Sequence, residues 1–146
     1  MKLSMSKYFS ALIPFYTIFL LYMMLFGCGR TAAEIGNLQL KPFKSIHYFL
    51  EPHVSFGRFF LNIICNIVVF VPFGFLGLAW KPMKSFIVLI LFFVASIISI
   101  ELLQYFSGRG TADIDDVFLN TLGMSTGFFF LKAFQKSLIQ PKTVSI

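Results

Sequence analysis

Charge is what this sequence has least of. Asp, Glu, Lys and Arg make up 12% of its 146 residues, against 58% hydrophobic and 18% aromatic, with a mean hydropathy of +0.84. Soluble domains carry about 25% charged residues, so a chain this poor in charge could not cover the surface of a soluble globule. Cysteine is scarcer still. Cys28 and Cys65 are the only two, which excludes a disulfide framework or a cysteine-rich zinc site. The two histidines, His47 and His53, stand six apart with no cysteine near them, too little for a metal site. There is no H-E-x-x-H, no phosphate-cradling glycine loop and no Ser-His-Asp arrangement in the apolar stretches. Repeats, low-complexity runs and linkers are also absent. No metal or cofactor is expected, the catalytic residues are left unassigned, and lipid is the expected solvent.

What is present is a set of long uncharged stretches. A helix needs about 20 residues to cross about 30 Å of hydrocarbon. Residues 8–29 and 59–80 are each 22 residues without a charge. A third stretch, 85–100, ends at Glu101, but apolar character resumes through Leu102, Leu103, Tyr105 and Phe106. A fourth, 117–131, directly follows Asp113, Asp115 and Asp116. The expectation is an all-α membrane protein, a four-transmembrane-helix bundle in one domain over residues 1–146, with spans near 8–29, 59–80, 85–106 and 115–134.

Lysine density sets the orientation. With the N-terminus in the cytoplasm, the short inner segments hold seven basic residues (Lys2, Lys7, Lys81, Lys84, Lys132, Lys136, Lys142) and the longer outer ones five (Arg30, Lys41, Lys44, Arg58, Arg109). That bias predicts an N-in, C-in protein. The formal charge of +6 then faces anionic lipid, and no nucleic-acid partner is needed to explain it. The first stretch is expected to stay as a helix. Leu25-Phe26-Gly27-Cys28 faintly resembles a lipoprotein cleavage box, but Phe26 is bulky there and three spans follow. In the first outer loop, Pro42 can open a short helix. Phe43, Ile46, His47 and Leu50 recur at helical spacing, which predicts an amphipathic helix in the interface.

The polar residues within the spans share a depth. Asn62 and Asn66 are four apart, Glu101 and Gln104 three apart, and Asp113, Asp116 and Asn120 follow one helical stripe. At 1.5 Å per residue, Asn62 and Asn66 lie about 5 and 10 Å inside the outer end, and Glu101 and Asn120 each about 6 Å in. A carboxylate at mid-span costs about 2.5–3.5 kcal/mol on insertion scales, and such residues mark function by default. Arg109, in Ser107-Gly108-Arg109-Gly110, can fold back toward Glu101, Asp113 or Asp116, or meet phosphate and carboxylate oxygens bidentately. These residues form either a site that binds something or a polar lock holding the helices together. Pro72 with Gly74 and Gly77 predicts an elbow near 68–73 that turns Asn62 and Asn66 toward Glu101.

Three segments carry a family resemblance. They are Leu40-Lys41-Pro42-Phe43-Lys44-Ser45-Ile46; Asn62-x3-Asn66 running into Phe70-Val71-Pro72-Phe73-Gly74; and Glu101-x2-Gln104 followed by Gly108-Arg109, Asp113-Ile114-x-Asp116, Asn120, Gly123 and Gly127. Together, over roughly residues 37–130, they resemble the VanZ-like family of small membrane proteins, named for a teicoplanin-resistance protein. The resemblance implies binding roles for Asn62, Asn66, Glu101, Gln104, Arg109, Asp113, Asp116 and Asn120. It implies structural roles for Pro42, Phe43, Pro72, Gly74, Gly123 and Gly127. It supplies no reaction.

Three readings follow. The chain binds a lipid or lipid-linked envelope component at the outer leaflet and lowers susceptibility to lipoglycopeptides such as teicoplanin, with membrane lipids, a cell-wall intermediate or the antibiotic itself as partner. Alternatively it is a membrane enzyme that uses Glu101 and the aspartates, as general acid or as oxygen ligands for a hard cation. A small transporter would need polar residues through to the inner side, and those halves are apolar.

Overall fold

Four long helices follow the four apolar stretches. In a computed structural model of the chain, residues 2–27 and 36–138 are described, the side chains of 2–4 excepted. Cys28 with its lipoprotein reading, Arg30, Glu34 and Lys142 lie outside the described residues. In chain order the elements are α1 (Lys2–Phe26), β1 (Asn37–Gln39), α2 (Lys44–Leu50), α3 (Phe56–Leu78), a short 3-10 turn (Lys81–Lys84), α4 (Phe86–Phe106), β2 (Thr111–Asp113) and α5 (Ile114–Ser137). The four long ones are apolar enough to cross a membrane, and the chain is a multi-pass, all-α membrane protein.

The helices do not begin where the charges stop. α1 takes in Lys2 and Lys7 and ends at Phe26 rather than at 29, and α3 carries Arg58 in its first turn. Long basic stems reach out to water from a helix end, so a charge-free window shows where a span can lie, not where its helix starts. The 8–29 window includes Gly27, a poor helix former, and α1 stops just before it.

α3 is the irregular one. It is α-helical over Phe56–Phe59, forms a π-turn over Phe60–Ile64, returns to α over Cys65–Val68 and continues as a 3-10 helix over Val71–Leu78. The break falls in the expected 68–73 region. Pro72 has no N–H to donate, and the Phe73 amide donates to Phe70 O three residues back (3.1 Å). That leaves Val69 O to accept the Tyr16 hydroxyl of α1 at 2.7 Å. A second hydroxyl, Ser6 Oγ, donates to Leu78 O at 2.7 Å. α1 is thus stitched to α3 at the break and at the far end of its 3-10 half, by bonds that contribute about 0.6 kcal/mol each within membranes.

α5 is seated most deeply. On its apolar face Gly123 and Gly127 meet the α3 backbone at Ile67 and Val71 so closely that a Cβ on either would collide with the carbonyl oxygen. Gly74 of α3 meets the α5 backbone at Met124, Gly127 and Phe128 in the same way. Small residues at this spacing let two membrane helices approach backbone to backbone. Phe70, Met83, Leu89, Phe93, Ile97 and Met124 fill the core beside this seam. α1 is the outlier: 6% of its most apolar window is buried, against 33% for α5.

A cap closes one end of the bundle. β1 and β2 pair in parallel, with Asn37 opposite Thr111 and Gln39 opposite Asp113, and Gly36 N donates to Tyr105 O at 2.9 Å. This two-strand link joins the segment after α1 to the α4–α5 connection, where the sequence suggested only loop. α2 is present, but Pro42 does not open it. Pro42 sits in the Lys41–Lys44 turn, and Phe43, at φ 62°, is the left-handed residue before the helix. Proline followed by a positive φ is the pattern of a type II turn, where glycine is usual. Phe43, Tyr48 and Leu50 remain exposed, an apolar collar suited to the membrane interface.

Candidate functional site

The cap is built around Asp115. α5 begins with Asp113 as its N-cap: Asp113 Oδ1 accepts the Asp115 amide at 2.9 Å, the favourable arrangement for a helix start. The first turn then points the Asp115 carboxylate at the start of α2. Its Oδ1 accepts from Phe43 N (2.6 Å), and its Oδ2 from Ser45 N (2.8 Å) and Ile46 N (3.1 Å). The carboxylate is fully buried. Charge-assisted bonds of this type are roughly twice as strong as neutral ones, and here three of them pin α2 to α5. Ser45 Oγ adds a short bond to Asp113 Oδ2, and Phe43 stacks on Phe118 with ring centroids 5.9 Å apart. The left-handed Phe43 is tolerable because its amide and its ring are both held.

The remaining polar residues are distributed around this clamp. Glu101 is buried, and its Oε2 accepts Asp113 N at 3.0 Å, tying α4 to β2. Gln104 is buried one turn on and donates from Nε2 to Met24 O, at the end of α1, at 2.9 Å. Asn66 donates to Asp116 Oδ1 at 2.8 Å, so the second asparagine of α3 meets α5 rather than the expected Glu101. Asn62, in the π-turn, donates back to Arg58 O at 2.8 Å. Asn120 is buried (2% exposed), and its Oδ1 accepts no hydrogen bond from the described residues.

These groups surround a cavity of about 570 Å³ at the cap end. Asn62, Gln104, Arg109, Asp113 and Asp116 line it, together with Asp115, Ser45 and the backbone of Gly108 and Gly110. Asn66, Glu101 and Asn120 stand behind the lining. Arg109 is the one cationic residue lining the cavity among the described residues. Gly108, at φ 65°, takes the left-handed conformation after α4, and Arg109 N donates to Gln104 O at 3.0 Å. The turn lays the guanidinium over the Phe26 ring, 4.5 Å from its centroid, a neighbour the sequence did not suggest. Among the described residues no three His, Cys, Asp or Glu side chains are placed to share a metal ion. Asp113, Asp115, Asp116 and Glu101 each accept from an amide or hydroxyl group, so all four take part in building the cap.

Asp115 and Ser45 are the cap-building, cavity-lining residues that pattern reading did not single out. Asp115 falls off the stripe of Asp113, Asp116 and Asn120, and its partners are about 70 residues away. The available signal was chemical: a short helix whose first amides need an acceptor, and three acids crowded into one helix start.

The VanZ/LLP1 family model matches residues 13–135. Protein VanZ of Enterococcus faecium is 28% identical over 124 residues, which cover 84% of this chain and 71% of that protein. No solved structure matches the chain.

Proposed function

The chain belongs to the VanZ/LLP1 family, and from that premise we propose that its cap-end cavity binds the head group of a membrane lipid or lipid-linked envelope component at the outer leaflet of the bacterial cytoplasmic membrane. In doing so it lowers susceptibility to lipoglycopeptides such as teicoplanin. The observation that carries this reading is the cavity itself. A single arginine, set between two glycines, lines about 570 Å³ of space at the cap end, among the polar side chains of Asn62, Gln104 and Ser45. The guanidinium matches the oxygens of an anionic head group bidentately, and its stacking on Phe26 presents a flat, oriented fork.

The reading needs the cap to face outward. A reporter fused after Lys84 or at the C-terminus is expected to be cytoplasmic, and one near Thr31 or Gly110 external. External labelling at Lys84 would place the cavity on the wrong side.

The arginine is tested in cells where the wild-type protein raises the teicoplanin concentration needed to stop growth. Arg109→Ala is expected to return that concentration to the level of cells without the protein, with expression unchanged, because a residue at the boundary contributes little to spanning. Arg109→Lys keeps the charge, loses the fork and the stacking, and is expected to fall between them. Full protection by Arg109→Ala at normal expression would remove Arg109 as a ligand contact.

A further inference from the structure

Between α1, α4 and the 3-10 half of α3 lies a second space of about 470 Å³, walled almost wholly by hydrocarbon and aromatic groups. We infer that this groove seats one hydrocarbon chain of a membrane lipid, with the lipid's head at the Arg109 cavity. The position of the head rests on the function proposed above, whereas the chain seat rests on the groove's own lining.

Four observations point to a lipid chain. The groove's two hydroxyls are already used within their helices: Thr17 Oγ1 donates to Ile13 O and Ser96 Oγ to Phe92 O, both at 2.8 Å. These hydroxyls therefore have no proton left to donate to a polar ligand. Its lining on α1 runs from Ile13 to Met24, eleven residues or about 16 Å along the helix, which is one half of a hydrocarbon core of about 30 Å. That half is the one next to the cap. At its cap end the groove adjoins the polar cavity: Met24 lines the groove, Gln104 lines the cavity, and Gln104 Nε2 donates to Met24 O. Finally, a helix about 10 Å across would use up this volume in about one turn, so a helix from a second copy does not fit where a single chain does.

α1 supplies the mechanism of entry. It is held to α3 by the hydroxyls of Ser6 and Tyr16 and to α4 by Gln104. Between those ties it faces α4 across the groove. A chain can slide in laterally from the bilayer without breaking a hydrogen bond.

The test uses the full-length protein in phosphatidylcholine nanodiscs doped with a phosphatidylglycerol that carries a diazirine midway along one acyl chain. Cross-linked positions on α1 are read by mass spectrometry. The groove face (Ile13, Thr17, Leu20, Met24) should be labelled severalfold more than the opposite, lipid-exposed face (Leu12, Phe15, Phe19, Tyr22). Ser96→Phe fills the groove and should abolish the enrichment. Ser96→Leu adds less bulk and serves the same purpose if the phenylalanine variant does not accumulate. Enrichment lost in Ser96→Phe but kept in Arg109→Ala would uphold the chain seat and sink the head-group reading. Enrichment lost in both variants would uphold the two together. Equal labelling of the two faces, or enrichment that survives a filled groove, would overturn the chain seat.

Discussion

Asp115→Ala is expected to release the cap while leaving the four spanning helices inserted. The carboxylate is fully buried and holds Phe43 N, Ser45 N and Ile46 N. A hydrogen bond to a charged group contributes about 1.5–3 kcal/mol. Three bonds to one carboxylate, at a boundary where freed amides can find water, give an expected loss of about 3–5 kcal/mol, less than their sum. Asp115→Asn keeps one acceptor oxygen and should lie between. Ser45→Ala removes only the bond to Asp113 Oδ2 and should cost about 1 kcal/mol. Trypsin reports the result at Lys44, the first residue of α2, since the Lys41–Pro42 bond is not a trypsin site. The Lys44–Ser45 bond should resist cleavage in wild-type vesicles and become sensitive in Asp115→Ala, while the melting temperature in detergent drops. Unchanged resistance at Lys44 would mean that Asp115 is not the clamp.

The glycine seam gives the other large effect. Gly123→Ala or Gly127→Ala places a methyl group against a backbone carbonyl of α3. Backbone cannot swing aside as a side chain does, so the helices must part by on the order of 1 Å to restore an ordinary C···O separation of about 3.3 Å. Overpacking of this kind costs about 1–3 kcal/mol per site. The two alanines demand the same displacement, so the double variant should lose less than the sum of the singles, a coupling that a double-mutant cycle reads directly. Parting α3 from α5 also stretches the Asn66–Asp116 bond, so either variant should weaken the cavity wall as well as the bundle. Melting temperatures of the singles and the double decide it. A Gly123→Ala protein as stable as wild type would mean that the seam is not the close contact described.

How far the sequence foretold this molecule depends on the range of the interaction. The four spans were legible because each needs only a local property, about 20 residues of low charge. The break in α3 was legible because Pro72 acts on its own turn. Asn66 could be placed on the polar face by helical spacing, but not its partner, since spacing cannot choose between Glu101 on one helix and Asp116 on another. Asp115 was passed over because periodicity rewarded Asp113, Asp116 and Asn120, while the amides it binds lie about 70 residues upstream. The β1–β2 link left still less trace. Three-residue strands have no pattern long enough to read, and a parallel pair joins segments remote in the chain. Local physics announced the bundle, whereas the cap is assembled from contacts with no local signature.

The separation of Phe43 from Asp115 also orders events during synthesis. The two positions are 72 residues apart. At about 5–20 residues per second, roughly 4–14 s pass between the emergence of one and of the other. Until then the Pro42-Phe43 turn has no carboxylate to hold its left-handed residue, and β1 has no strand to pair with. The first loop therefore waits at the membrane surface through the insertion of two further helices, and the arrival of the last one closes the cap.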